Sequence, residues 1–134
     1  MLDRPDVAKL VLRVSLGGMM LLHGIDKLHG GVAGLQNMIE KKGIPGFIAY
    51  GVYVGEVVAP LLILAGWKTR IAALVFAFNM IVAVLLAHSG DILRLGGVGQ
   101  WAIEVPMLYA FGAVALALLG AGRYSVSRGH GTWD

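Results

Sequence analysis

Four apolar stretches, each about as long as a helix that crosses a bilayer, take up most of this chain. They run from about Val7 to Lys27, Phe47 to Gly66, Ile71 to His88 and Trp101 to Gly120. A spanning helix needs ~20 consecutive mostly apolar residues, because the hydrocarbon layer is ~30 Å thick and each residue rises ~1.5 Å. Four such stretches in 134 residues leave almost nothing for a soluble domain. The composition agrees. Hydrophobic residues make up 57% and charged residues 14% of the chain, against about 25% charged in a typical soluble domain. The expected fold is therefore all-α: an integral membrane bundle of four antiparallel transmembrane helices forming one membrane domain, since short connections make successive helices antiparallel neighbours.

The longest connection lies between His29 and Phe47. Within it Val32, Leu35, Met38 and Ile39 recur at helical spacing, Glu40, Lys41 and Lys42 follow, and Gly43 and Pro45 close the run. This pattern predicts a short amphipathic helix, lying at the membrane interface or packed on the end of the bundle. The other long connection, Ser89 to Gln100, is rich in glycine and reads as a flexible crossing or partial lid. The first apolar stretch is interrupted by Arg13 and lacks a convincing cleavage site, so it reads as a retained helix.

Charge sets the orientation. Arg4, Lys9, Lys68, Arg70, Arg123 and Arg128 fall on one side of the four spans; Lys27, Lys41, Lys42 and Arg94 fall on the other, spread over more residues. The denser side is expected to be cytoplasmic, with both termini inside. The basic residues form no continuous face, which argues against nucleic acid as a partner. Trp67, Trp101, Tyr50 and Tyr53 lie near span ends, as interfacial aromatics do. The tail 125–134 is polar and expected to be mobile. The chain has no cysteine, so it offers no disulfide, thiolate metal site, iron–sulfur cluster or other cysteine-bound cofactor.

Ionisable and amide side chains inside spans are costly, face the bundle interior and mark functional positions. Here they are Arg13, His23 and Lys27 in the first span, Glu56 in the second, Asn79 and His88 in the third and Glu104 in the fourth. Arg13, Gly17, Met20, Gly24 and Lys27 share one helical face, which should point inward. Gly51 and Gly55 form a GxxxG pair that would let a neighbour approach closely, whether a helix of this chain, a second copy in a homodimer or another protein. Depth counted along the helices places Arg13 within reach of Glu56, and these two are expected to pair. His23, Lys27, His88 and Glu104 fall at similar depth in the outer half and are expected to line a polar pocket, with Asn79 near the midplane. Such a pocket suits a quinone head group. Lys or His would donate to a carbonyl, and Glu56 or Glu104 would exchange a proton. Two imidazoles and a carboxylate could alternatively hold a metal, though no dedicated metal site is assigned.

Three segments together carry a resemblance. They are LRVSLGGMMLLHGIDKL from Leu12 to Leu28, GEVVAPLLILAGWKTRIAALV from Gly55 to Val75, and GAGRYSVS from Gly120 to Ser127. In their order and spacing they resemble the DoxX family of small bacterial membrane proteins, over nearly the whole chain. The resemblance implies four transmembrane helices in the bacterial inner membrane. It also implies a likeness to the DoxD subunit of thiosulfate:quinone oxidoreductase, and association with redox or thiol-stress enzymes. The positions that match the family pattern are Arg13, His23, Gly24, Lys27, Glu56, Thr69 and Arg70. The reading that follows is a quinone-linked subunit or accessory of a membrane oxidoreductase, with a membrane or peripheral oxidoreductase as partner. Two other readings stand beside it: a protein that binds or transports a small solute or metal, and a structural or assembly factor for a membrane complex.

Overall fold

The computed structural model describes residues 4–134. Helix α1 runs Arg4–Gly30, α2 runs Ala33–Glu40, α3 runs Gly46–Ala65, α4 runs Thr69–Ala87 and α5 runs Glu104–Leu119. Among the described residues there is no β-strand, only an isolated bridge between Leu95 and Trp101. The all-helical class expected from the sequence is what the structure shows. Three helices, α1, α3 and α4, are long and apolar enough to cross a membrane.

Helix α5 is apolar but has 16 residues, so it spans about 24 Å. The sequence led us to expect a helix starting near Trp101. Instead Trp101 is held in the preceding loop, where it bridges to Leu95 and its indole N–H donates to the Ile92 carbonyl at 2.6 Å. The helix can only begin once that loop has closed.

Helices α3 and α4 reverse direction over three residues. Gly66 takes φ 71°, a left-handed conformation that glycine adopts without steric cost. Its N–H and that of Trp67 both return to the Leu62 carbonyl, at 2.9 and 3.1 Å. This Schellman-type ending satisfies the Leu62 carbonyl in the last turn of α3.

The core fills the space between α1, α3, α4 and α5. It is built from Leu16, Met20, Ile63, Phe76, Met80 and Leu116, with alanines at 72, 73, 77, 110 and 113. The alanines belong to α4 and α5, the two helices that pack most extensively on each other, and small residues are what let helix backbones close up in a lipid environment. The predicted inward stripe of α1 is buried from Arg13 through Gly24. Two of its glycines meet α3. A side chain at Gly17 would strike Leu64 and the Pro60 carbonyl, and one at Gly24 would fall on the Glu56 carbonyl.

Arg13 organises the end of the bundle away from α2. It is 1% exposed and donates to four backbone carbonyls: Ile63 at 2.8 Å, Leu64 at 2.7 Å, Ala121 at 3.2 Å and Tyr124 at 2.7 Å. Ile63 and Leu64 end α3, and Ala121 and Tyr124 follow α5. The Ile63 and Leu64 carbonyls carry the partial negative charge of a helix C-terminus. One guanidinium therefore ties three helices together. The chain after α5 folds back over the same end. Val126 N–H donates to Ala65 O at 3.0 Å and Ser127 N–H to Gly66 O at 3.2 Å. Arg70 receives it further on, its Nε donating to Asp134 O at 2.8 Å. The tail 125–134, mobile by the expectation of its polarity, is thus hydrogen-bonded to the α3–α4 turn.

Replacing Arg13 with Ala should be severe, because several buried carbonyls would lose their donor and each such group costs about 1–3 kcal/mol. Arg13→Ala is expected to lower the detergent-solubilised melting temperature sharply, and Arg13→Lys to recover only part of it, since an ammonium cannot fork to four acceptors. Equal melting temperatures for wild type and Arg13→Ala would show that the guanidinium does not hold this end together.

Candidate functional site

Pro60 shapes the site through the backbone. Proline has no N–H, so an α-helical bond from residue 60 to the Glu56 carbonyl cannot form. The helix widens instead into a π-turn over Val54–Val58 before resuming as Ala59–Ala65. Such turns occur mostly as single insertions inside α-helices, often at functional sites. This one carries Glu56 at its centre.

The Glu56 side chain is 7% exposed and pairs with Lys27, whose Nζ donates to Oε2. Asn79 Nδ2 donates to the other oxygen, Oε1, at 3.4 Å. Each partner needs a close backbone approach. Gly24 brings α1 against the Glu56 carbonyl, and Gly55 makes room for the Asn79 side chain from α4. The Tyr53 hydroxyl donates to the Lys27 carbonyl at 2.9 Å and fixes the last turn of α1 against α3. A carboxylate, an ammonium and an amide from three helices therefore meet at one point.

They meet at the edge of a cavity of about 400 Å³. Lys27, Glu56 and Asn79 supply its polar part. Leu35, Met38 and Ile39 of α2, Val52 and Val54 of α3, and Val75, Phe78, Val82 and Leu86 of α4 make the rest apolar. Helix α2 reaches this position because Val32 and Ile39 bury against Ala49, with Ile44, Tyr53 and Leu86 around them. The short helix predicted in the first long loop therefore exists and roofs the cavity. The glycine-rich loop after α4, read as a partial lid, contributes nothing to its lining.

The structure corrects the expected pairing. Glu56 is partnered by Lys27 and not by Arg13. Arg13 binds the Ile63 and Leu64 carbonyls, seven and eight residues beyond Glu56 on α3, which is about 10 Å along the axis. Helix α1 carries both cations, and the one nearer its C-terminal end reaches the carboxylate.

Of the four residues expected to line an outer polar pocket, only Lys27 does so. His23 is exposed on α1, its Nδ1 lies 3.0 Å from the Met19 carbonyl, and its ring meets Tyr109 edge-on. His88 ends α4 beside Asp91, with Nδ1 3.5 Å from Oδ2. Glu104 is exposed in the first turn of α5, where the helix dipole favours a carboxylate. Asn79 belongs to the cavity, at the Glu56 end. Among the described residues no three His, Asp or Glu side chains converge as a metal site would require, so His23, His88 and Glu104 do not come together to hold one. Within the GxxxG pair, Gly55 is used inside the chain and nothing lies against Gly51. The sequence reading missed Tyr53 and the apolar lining from α2. The helical spacing of Leu35, Met38 and Ile39 was visible, but not the surface they would cover.

A small helical membrane protein with a partly buried ion pair at the edge of an apolar cavity is the class these features define. The chain belongs to the DoxX family, whose profile matches residues 8–89. It is 32% identical over 123 residues to "Inner membrane protein YqjF" of Escherichia coli (strain K12), covering 92% of each chain. It is 31% identical over 80 residues to "Putative oxidoreductase CatD" of Bacillus subtilis (strain 168), covering 60% of this chain and 59% of that protein. No solved structure matches the chain. With its apolar helices and its inner-membrane relative, it is a multi-pass protein of the bacterial inner membrane.

The ion pair can be tested through its own energetics. Removing one partner strands a buried charge, at about 3–5 kcal/mol, whereas removing both with apolar residues of similar size is often close to neutral. Lys27→Met is therefore expected to destabilise the protein strongly, and the double change Lys27→Met with Glu56→Leu to restore much of the loss. Additive losses in a double-mutant cycle of thermal stability would show that the two side chains do not interact.

Proposed function

We propose that this protein is a quinone-linked subunit or accessory of a membrane oxidoreductase, and that the cavity beside Glu56 is its quinone site. The observation that carries this reading is the Lys27–Glu56–Asn79 cluster at the edge of an otherwise apolar cavity of about 400 Å³. Binding sites for small molecules are usually of this kind: about 300–1,000 Å³, mostly apolar, with a few convergent polar groups. The donor set fits the head group. The Lys27 ammonium has three N–H bonds, of which Glu56 takes one, so it can donate to a carbonyl placed beside it. Glu56 can take up or release a proton at the same place, and Asn79 holds its carboxylate in position. A bound quinone would supply two-electron redox chemistry, which this cysteine-free chain does not offer through thiols. The oxidoreductase named among its relatives supports the same direction.

In this arrangement α5 is the fourth span of an antiparallel bundle forming a single membrane domain, and α2 lies at the interface on the side where α1 ends. The charge distribution puts both termini in the cytoplasm. Arg13 acts as a structural clamp away from the site. Met20, Ile63 and Phe76 are buried in the core and do not line the cavity, which favours a closed binding site over a solute path through the bundle.

Gentle purification from native membranes followed by mass spectrometry of the organic extract tests the proposal. A quinone at close to one per chain, lost in Glu56→Gln, is the expected result. Phospholipid alone in the wild-type extract would overturn it.

A further inference from the structure

The cavity has two sides that differ in kind. Toward the end of α1 it is roofed by α2, where Ile39 is 1% exposed and packs against Ala49. Its other rim is open. Val54 of α3 and Phe78 of α4 both line the cavity and are 50% and 68% exposed. Their depth decides what that opening faces. Val54 is the ninth residue of Gly46–Ala65, and Phe78 is the tenth of Thr69–Ala87. At ~1.5 Å per residue both stand near the middle of their spans, well inside a hydrocarbon layer ~30 Å thick. At that depth the rim they form faces lipid tails and not water.

The burial of Glu56 points the same way. Of the paired side chains, Glu56 is 7% exposed, while Lys27 keeps 31% exposure at the end of α1, beside the apolar contacts of Val32, Ile39 and Ala49. At the mid-depth rim the cavity is lined by Val54, Val75 and Phe78, with Gly55, Glu56 and Asn79 next to them in sequence.

We infer that the cavity is filled sideways from the bilayer, through a portal between α3 and α4 framed by Val54 and Phe78. This deepens the quinone reading and rests on it for the identity of the head group. It specifies the ligand class further: a membrane-resident amphiphile whose polar head, rich in hydrogen-bond acceptors, reaches Lys27 and Glu56, while an apolar tail passes Phe78 and stays in the lipid. Helix α2 is then a seal against water and not a door. The size of Phe78 sets which tails can lie in the portal.

The absence of cysteine allows single labels without background. The full chain is reconstituted in phospholipid nanodiscs with a nitroxide at one of three positions: Val54→Cys on the rim, Val82→Cys on the lining, or Asn37→Cys on the exposed face of α2. Molecular oxygen, which concentrates in lipid, and a neutral water-soluble nickel chelate are compared as relaxants. Oxygen is expected to dominate several-fold at residues 54 and 82, and the chelate at residue 37. Chelate access at 82 equal to that at 37 would overturn the portal, because the cavity would then open to water. So would poor access of both reagents at 54, which would mean that protein covers the rim. This readout does not depend on any quinone. Nanodiscs doped with ubiquinone-10 supply the second arm, in which Phe78→Trp is expected to reduce the quinone retained per chain several-fold. Oxygen dominance without retained ubiquinone-10 would sustain the portal and count against a quinone as its occupant. Unchanged retention in Phe78→Trp would overturn the tail path.

Discussion

A cation inside a bilayer must be solvated by protein, and α1 carries two of them on one face. The rest of the structure follows from how each is satisfied. Arg13 uses a planar fork to collect two carbonyls from the end of α3, where unbonded oxygens are unavoidable, and two from the chain that follows α5. Lys27, a compact charge on a flexible stem, finds a carboxylate instead. The first arrangement is a fastening that leaves nothing over. The second keeps spare donors beside an apolar cavity. One helix face therefore divides the molecule into an end that holds the fold and an end that has chemistry available.

Backbone features place the second arrangement. Pro60 forces the π-turn that carries Glu56, Gly24 lets α1 lie against the carbonyl of that turn, and Gly55 admits Asn79 from α4. None of these three residues carries a functional group. They explain why a chain so rich in glycine keeps some at positions where helix propensity alone would favour alanine. Glycine in a span costs little when a neighbouring helix fills the space it leaves.

Much of the architecture was legible from residue order, since a spanning helix announces itself by length and apolarity. The inward face of α1 was legible too, because Arg13, Gly17, Met20 and Gly24 keep one helical phase. The choice of partner for Glu56 was not. Two cations of the same stripe, about 21 Å apart along α1, compete for it, and counting residues set the wrong one at the depth of Glu56. Residue counting puts His23, His88 and Glu104 at a depth similar to that of Lys27, but depth is only one coordinate. Their helical phase and loop geometry turn them to other neighbours. The late start of α5 was hidden for a related reason: Trp101 has the composition of a span end, and only the fold shows its indole bound to Ile92.

The π-turn also changes how α3 reads as a sequence. One extra residue in the helix rotates everything after it by about 100° relative to everything before it. The segment is therefore two helices in different phase, joined end to end. Its first part, around Ala49 and Val52, addresses α2 and the cavity; its second, around Pro60 and Ile63, addresses α1 and the core. A single amphipathic pattern fitted across Gly46–Ala65 averages two faces that never coincide. In aligning relatives, a one-residue gap near Glu56 would mark a change in which neighbours the helix can serve, and not a harmless difference in length.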